Sequence, residues 1–182
     1  MIYNNSWQSS LAQTLKQLRQ QRESVERPLR LVIMGIGHEL RGDDAAGLVV
    51  VRQIAEKLGT AVPPNLLLIA GGHAPENHTG PIRRFAPDLV LLIDVALMGR
   101  EPGEIGWLPW QATSGLSASS HTMPLYMLAW FLTADLHCEV ALIGIQPQDT
   151  SLTNTLTPTV QASVAAIAAG IIDITHGISR RL

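Results

Sequence analysis

The sequence has few charged residues and one cysteine, and each shortage excludes a class of protein. Charged residues make up 15% of the 182 residues, and the formal net charge is −2. No long basic block is present, so nucleic-acid binding is not expected. The single cysteine, Cys138, excludes an internal disulfide framework and a cysteine-based zinc site. Because Cys138 precedes the apolar run 140–143, we expect a buried, unreactive thiol.

Several common catalytic motifs are absent as well. Gly35 and Gly37 are followed by Leu40 at the position where a dinucleotide-binding loop has its third glycine. The chain has no Gly-Lys-Ser/Thr phosphate loop, no His-Glu-x-x-His and no Gly-x-Ser-x-Gly. Residues 1–10 lack the features of a signal peptide, and we find no uninterrupted apolar segment of membrane-spanning length. We therefore expect a cytoplasmic protein without membrane insertion.

The chain does have apolar segments, and along the sequence their spacing alternates between that of strands and that of helices. Hydrophobic residues make up 46% of it. The patterns predict strands at 29–34, 65–70, 89–95, 104–108 and 139–145, and helices at 43–58, 121–134 and from 158 onward. This alternation indicates an α/β fold: a three-layer sandwich with a mostly parallel, about five-stranded twisted sheet and helices on both faces.

The first 28 residues stand apart from this pattern. Leu11, Leu15 and Leu18 recur at helical spacing and predict a helix over 6–24, which the Arg27-Pro28 pair ends. We expect residues 1–28 to form an N-terminal accessory helix and residues 29–182 to form a single α/β domain.

Polar residues lie where the predicted strands end. Asp43 and Asp44 follow the first strand, Asp94 lies near the end of the third, and His121 begins a predicted helix. Ligands of parallel sheets bind beyond the carboxyl ends of the strands, so Asp44, Asp94 and His121 are expected to lie at one edge. Two carboxylates and an imidazole suit a borderline divalent ion, although they do not separate nickel from zinc.

Each of these residues also has an interpretation without a ligand. Asp43 is expected to cap the helix that follows it, and Asp44 could interact favourably with the positive N-terminal end of that helix. Asp94 could accept hydrogen bonds from loop N–H groups, and His121 could lie at a helix N-terminus without binding anything. The spacing alone does not decide between these alternatives.

Five short segments, in order, resemble the motifs of the hydrogenase maturation endopeptidases. The segments are 35–37 with 42–47, 71–77, 92–94 with 102–105, 120–125, and 144–147. The resemblance extends from about residue 31 to about residue 170. It implies an endopeptidase that removes a C-terminal extension from the large subunit of nickel–iron hydrogenase once nickel has been inserted.

The resemblance also implies roles and a partner. Asp44, Asp94 and His121 match the family's metal-contacting positions, which makes them both the catalytic and the metal-binding residues of an aspartyl-type endopeptidase. Nickel is then supplied by the substrate rather than stored, although cadmium or zinc could occupy the site adventitiously. The expected partner is the nickel-loaded large-subunit precursor, and we expect the protease to be a monomer.

Some questions stay open at this stage. The substrate's metal, or a carboxylate such as Asp44, could activate the attacking water. His38 stands where the family commonly has asparagine, beside Glu39, and could contact the substrate or bind an adventitious metal. His73 and His78 are expected to be solvated loop residues. A non-catalytic metal-sensing chaperone for the loaded subunit, or a general small-molecule hydrolase, would be compatible with the same three residues.

Overall fold

A five-stranded sheet forms the centre of the protein, seen in a computed structural model that describes residues 6–22, 27–112 and 123–179. Its strands are β1 (Leu31–Ile36), β2 (Leu66–Gly72), β3 (Leu89–Val95), β4 (Ile105–Leu108) and β5 (Glu139–Ile145). They lie in the order β2-β1-β3-β5-β4, and only β4 is antiparallel to its neighbour. The predicted mostly parallel sheet is confirmed.

Helices cover both faces of this sheet. Those described are α1 (Trp7–Gln21), α2 (Ala46–Leu58), α3 (Thr79–Phe85), α4 (Leu125–Leu136) and α5 (Pro158–Ser179). One buried cluster joins α1, α2 and α5 to one face, and a second cluster joins α3 and α4 to the other. Every residue of β1 and β3 is buried, which explains why these strands are continuous apolar runs. The three-layer sandwich is therefore also confirmed.

The predicted element boundaries differ from the observed ones at the loops. Strand β1 continues through Gly35 to Ile36, because Gly35 pairs with both Ala70 and Ile93. Helix α2 begins at Ala46 rather than at residue 43, after a 3₁₀ turn at Gly42–Ala45. Helix α4 begins at Leu125 rather than at residue 121.

The N-terminal segment is attached to the domain at two places. Apolar side chains of α1 are buried in the cluster shared with α2 and α5, and a Cβ built on Gly170 of α5 would lie 2.7 Å from the Trp7 ring. Beyond α1, Arg22 and Arg27 both pair with the buried carboxylate of Asp88, at 2.5 and 2.8 Å. The division of the chain at residue 28 into an accessory helix and a domain stays a prediction.

Helix α5 is long and apolar, although Gln161, Ser163 and Asp173 interrupt its apolar residues. Its stretch Pro158–Thr175 has 18 residues and a mean hydropathy of 1.3, so by length and composition alone it could cross a membrane. A core helix of a soluble protein has the same properties, and α5 packs against α2 in the buried cluster.

The prediction for Cys138 is confirmed: its thiol is buried, and burial raises its pKa to about 11.

Three backbones meet closely where β1, α2 and β3 cross. A Cβ built on Gly47, near the start of α2, would lie 2.1 Å from the carbonyl oxygen of Ile93 and 2.5 Å from that of Ile36. Main-chain atoms cannot rotate away from such a contact as a side chain can. The turn that precedes α2 is therefore held against the ends of both strands.

This contact predicts a large difference between two glycine substitutions. Gly47→Ala should lower the free energy of unfolding by at least about 2 kcal/mol, because the backbones must move apart. Gly80→Ala in α3 is the matched control, since its Cβ would meet nothing closer than an arginine nitrogen at 3.6 Å. It should leave stability unchanged or raise it by up to about 1 kcal/mol. Urea unfolding followed by circular dichroism measures both, and equal effects would contradict the packing argument.

Candidate active site

The turn Gly42–Ala45 lies directly against the carboxyl end of β1. Gly37 follows the strand with φ of +134°, and a Cβ at this position would lie 1.7 Å from the carbonyl oxygen of Asp44. Only glycine combines this backbone conformation with so close a contact. The end of β1 therefore leaves room for the acidic turn to fold back onto it.

Asp44 is buried in this turn, with 1% of its surface exposed. Its Oδ2 accepts a hydrogen bond from the backbone N–H of His38 at 3.0 Å, and its own N–H donates to the carbonyl of Arg41 at 3.0 Å. These contacts fix the carboxylate beside the loop that leaves β1.

Asp94 lies one residue before the end of β3 and is fully buried. Its Oδ1 accepts the N–H of Val95 at 2.8 Å, and its backbone pairs with Gly144 of β5. The turn that carries Asp44 contacts β3. The structure thus brings the elements that carry Asp44 and Asp94 together at the carboxyl edge of the sheet.

His121 lies outside the described residues, as does most of the predicted loop 111–120. The structure therefore does not test whether the imidazole joins the two carboxylates. The set of Asp44, Asp94 and His121 as catalytic and metal-binding residues stays a prediction.

Asp43 has a different role from the one that the sequence predicted. It does not cap α2, whose N-cap residue is Ala45 and has no side-chain cap. Its fully buried carboxylate instead accepts four hydrogen bonds from the segment after β5. The donors are Gln148 N–H at 2.8 Å, Asp149 N–H at 3.0 Å, Thr157 N–H at 2.7 Å and the Thr157 hydroxyl at 3.0 Å. Asp43 therefore attaches the segment 147–157 to the turn that holds Asp44.

The same segment carries hydrogen bonds within itself and back to the turn. The carboxylate of Asp149 accepts the N–H and the hydroxyl of Ser151 at 2.8 and 2.9 Å, and these bonds lower the pKa of Asp149. Gly42 N–H donates to the carbonyl of Thr153 at 2.8 Å, and Asp43 N–H donates to that of Asp149 at 2.9 Å. Side-chain and backbone hydrogen bonds thus both join the turn Gly42–Ala45 to the segment 147–157.

Gln146 holds the loop on the other side of Asp94. Its side chain is 8% exposed, and Oε1 accepts the N–H groups of Met98 at 2.8 Å and of Arg100 at 3.3 Å. Its backbone bonds to Gly103 and Glu104. The sequence marked 144–147 only as a family motif, and the contacts show that its glutamine orders the segment that leaves β3.

His38 and His73, both expected to be loop residues, lie against each other. Their ring centroids are 5.6 Å apart and the rings are tilted by 37°. Both line a cleft of about 330 Å³ beside the ends of β1 and β2. His73 is exposed, as the sequence predicted. Its contact with His38 could not be predicted, because the two residues are far apart in the sequence.

A mostly parallel sandwich with buried acids at the carboxyl edge of its sheet is the arrangement of an α/β enzyme that binds its substrate at that edge. Comparison with known proteins shows to which family the chain belongs. A family model described as hydrogenase maturation protease matches residues 49–174. The hydrogenase 3 maturation protease of Escherichia coli K12 is 38% identical over 117 residues, which are 64% of this chain and 72% of that protein.

Solved structures agree with the sequence match. The crystal structure of the [NiFe] hydrogenase maturation protease HycI from Thermococcus kodakarensis has a TM-score of 0.72 and 32% identity, covering 82% of this chain and 94% of that one. The solution structure of the endopeptidase HycI from Escherichia coli has a TM-score of 0.66 and 29% identity, covering 78% and 88%. The chain belongs to the hydrogenase maturation protease family.

Family membership confirms the endopeptidase predicted from the motifs. These relatives are named as proteases, which favours peptide cleavage over the non-catalytic chaperone. The same names favour a protein substrate over the small-molecule substrate that a general hydrolase would have.

The contacts of Asp43 predict a graded loss of stability. Asp43→Asn should lower the free energy of unfolding by about 3–5 kcal/mol, because an amide N–H₂ would face buried donors. Thr157→Val removes only the hydroxyl donor and should cost about 1–2 kcal/mol. Thr157→Ser is the matched control, since it keeps the hydroxyl. Urea unfolding measures all three, and an Asp43→Asn protein as stable as the unmodified one would exclude this role.

Proposed function

We propose that this protein removes the C-terminal extension of a nickel–iron hydrogenase large-subunit precursor after nickel has been inserted. The observation that carries the proposal is the pair of buried carboxylates, Asp44 and Asp94, on adjoining elements at the carboxyl edge of the sheet. Carboxylates buried at the ends of strands are costly unless they have a binding or structural partner. Named relatives process hydrogenases, which supports the choice of substrate.

In this proposal nickel is part of the substrate. Asp44, Asp94 and His121 supply two carboxylates and one imidazole, a donor set that suits a borderline divalent ion with positions left for other ligands. Only a loaded precursor gains the free energy of these contacts. An unloaded precursor leaves the polar groups without their ligand, and this difference is the basis of the discrimination.

Binding through the metal also positions the peptide bond that is cut. Water attacks the carbonyl carbon, and the hydrolysed bond releases the C-terminal peptide. Two groups are suited to activate that water: the substrate's nickel as a Lewis acid, and the carboxylate of Asp44 as a general base. We further propose that the protease acts as a cytoplasmic monomer.

The direct test is to incubate the purified protein with nickel-loaded and with unloaded precursor and to measure the mass of the large subunit. Loss of a C-terminal peptide from the loaded precursor alone is the expected result. Equal trimming of both forms would exclude recognition of the metal. Binding of the loaded precursor with no loss of mass would instead indicate the non-catalytic chaperone.

Asp44→Asn should abolish this processing while the protein stays folded. The remaining amide oxygen can still accept the His38 N–H, so the turn is preserved, but the charge that contacts the metal is lost. Glu56→Gln is a matched control, because it removes one negative charge from an exposed position of α2. Processing by the Asp44→Asn protein at the normal rate would show that Asp44 has no part in the reaction.

His121→Ala tests the third proposed ligand through metal binding rather than activity. The variant should retain a divalent ion such as cadmium at least about tenfold more weakly, because one of three ligands is gone. Equilibrium dialysis against cadmium measures retention, with His137→Asn as the control. Asparagine tolerates the left-handed φ of 52° at His137. Unchanged retention by His121→Ala would remove this residue from the site.

A further inference from the structure

A cleft of about 330 Å³ opens beside the ends of β1 and β2, next to the turn that holds Asp44. Leu40 and Leu48 contribute apolar surface to it, and Glu39 and Arg52 form an ion pair at its wall. Glu39 and Arg52 are paired with each other, so the groups that the described part of the cleft offers to a metal ion are the imidazoles of His38 and His73.

The separation of these two rings fits a shared ion. A first-row divalent ion binds an imidazole nitrogen at about 2.0–2.1 Å, which places the centroids of two imidazoles on one ion about 5–6 Å apart. The centroids of His38 and His73 are 5.6 Å apart, with the rings tilted by 37° rather than stacked. We propose that His38 and His73 form a second site for a borderline divalent cation such as Zn²⁺, separate from the proposed nickel-contacting residues.

Binding of an ion must change the hydrogen bond that the His38 ring makes in its absence. Nδ1 of His38 accepts the N–H of Leu40 at 3.2 Å. An ion at Nδ1 replaces this contact, whereas an ion at Nε2 moves the ring proton to Nδ1 and breaks it. Either route removes one long, exposed hydrogen bond. Because Glu39 is paired with Arg52, the protein supplies two nitrogens, and water fills the remaining positions of the ion.

The position of the pair gives the site a consequence for the protease. The backbone N–H of His38 donates to Oδ2 of Asp44 at 3.0 Å. One residue of the second site is therefore in direct contact with a residue of the proposed reaction centre. An ion held between the rings occupies part of the cleft and fixes the loop at residue 38. Excess Zn²⁺ therefore inhibits processing, through residues that differ from those that contact the substrate's nickel. Only this inhibition depends on the proposed function, since Zn²⁺ binding does not.

The binding test uses tag-free protein with the His121→Ala substitution, which removes a ligand of the first site. Zn²⁺ is titrated by calorimetry, and imidazole resonances are followed by nitrogen-edited NMR. One ion should shift the resonances of His38 and His73 together. His38→Asn and His73→Gln should each raise the Kd for Zn²⁺ at least about tenfold. His137→Asn, far along the chain at the end of α4, should leave the Kd unchanged.

Two results would overturn the proposal: single variants that bind Zn²⁺ as tightly as their parent, or NMR shifts confined to one of the two imidazoles. The NMR measurement uses the parent protein, so it decides even where a variant folds poorly. In the processing assay, micromolar Zn²⁺ should inhibit the unmodified protease but not His73→Gln. If the unmodified protein cuts no precursor, the proposed function fails while the Zn²⁺ binding result still stands.

Discussion

The buried carboxylate of Asp43 is the contact on which the candidate active site depends. It accepts four hydrogen bonds from the segment that follows β5, and its backbone N–H donates to the same segment. Burial of a carboxylate costs free energy unless its oxygens accept hydrogen bonds. The turn Gly42–Ala45 and the segment 147–157 must therefore fold together. The turn at Asp44, which comes from the first strand, is thereby fixed by residues more than a hundred positions later in the chain.

Close backbone packing supplies the other half of this constraint. Gly37 and Gly47 lie on either side of the acidic turn, and each allows a main-chain contact that a Cβ would prevent. Glycine packing sets the depth of the turn against β1 and β3, while the bonds of Asp43 set its position along the sheet edge. Because both act on one four-residue turn, a change in either should move Asp44 without touching it.

The sheet could be predicted from the sequence because its central strands, β1, β3 and β5, are nearly continuous apolar runs, as expected of strands buried on both faces. The region of Asp44 and Asp94 could be predicted because parallel strands bring their carboxyl ends to one edge. The role of Asp43 could not, since an acid before a helix looks the same whether it caps that helix or binds a distant loop. The same limit explains Gln146 and the pairing of His38 with His73, which depend on contacts between segments far apart in the sequence.

The two adjacent acids of the turn make different contacts because their side chains leave the backbone on different sides. The carboxylate of Asp43 is fully buried and accepts four hydrogen bonds from protein donors, so it is enclosed by the segment after β5. That of Asp44 instead accepts the backbone N–H of His38, a residue that lines the cleft of about 330 Å³. Exchanging these contacts between the two residues would require the segment after β5 to change sides. In the proposed function, Asp43 therefore holds the turn in place while Asp44 contacts the substrate's metal, and the different contacts of the two carboxylates explain why neither residue can replace the other.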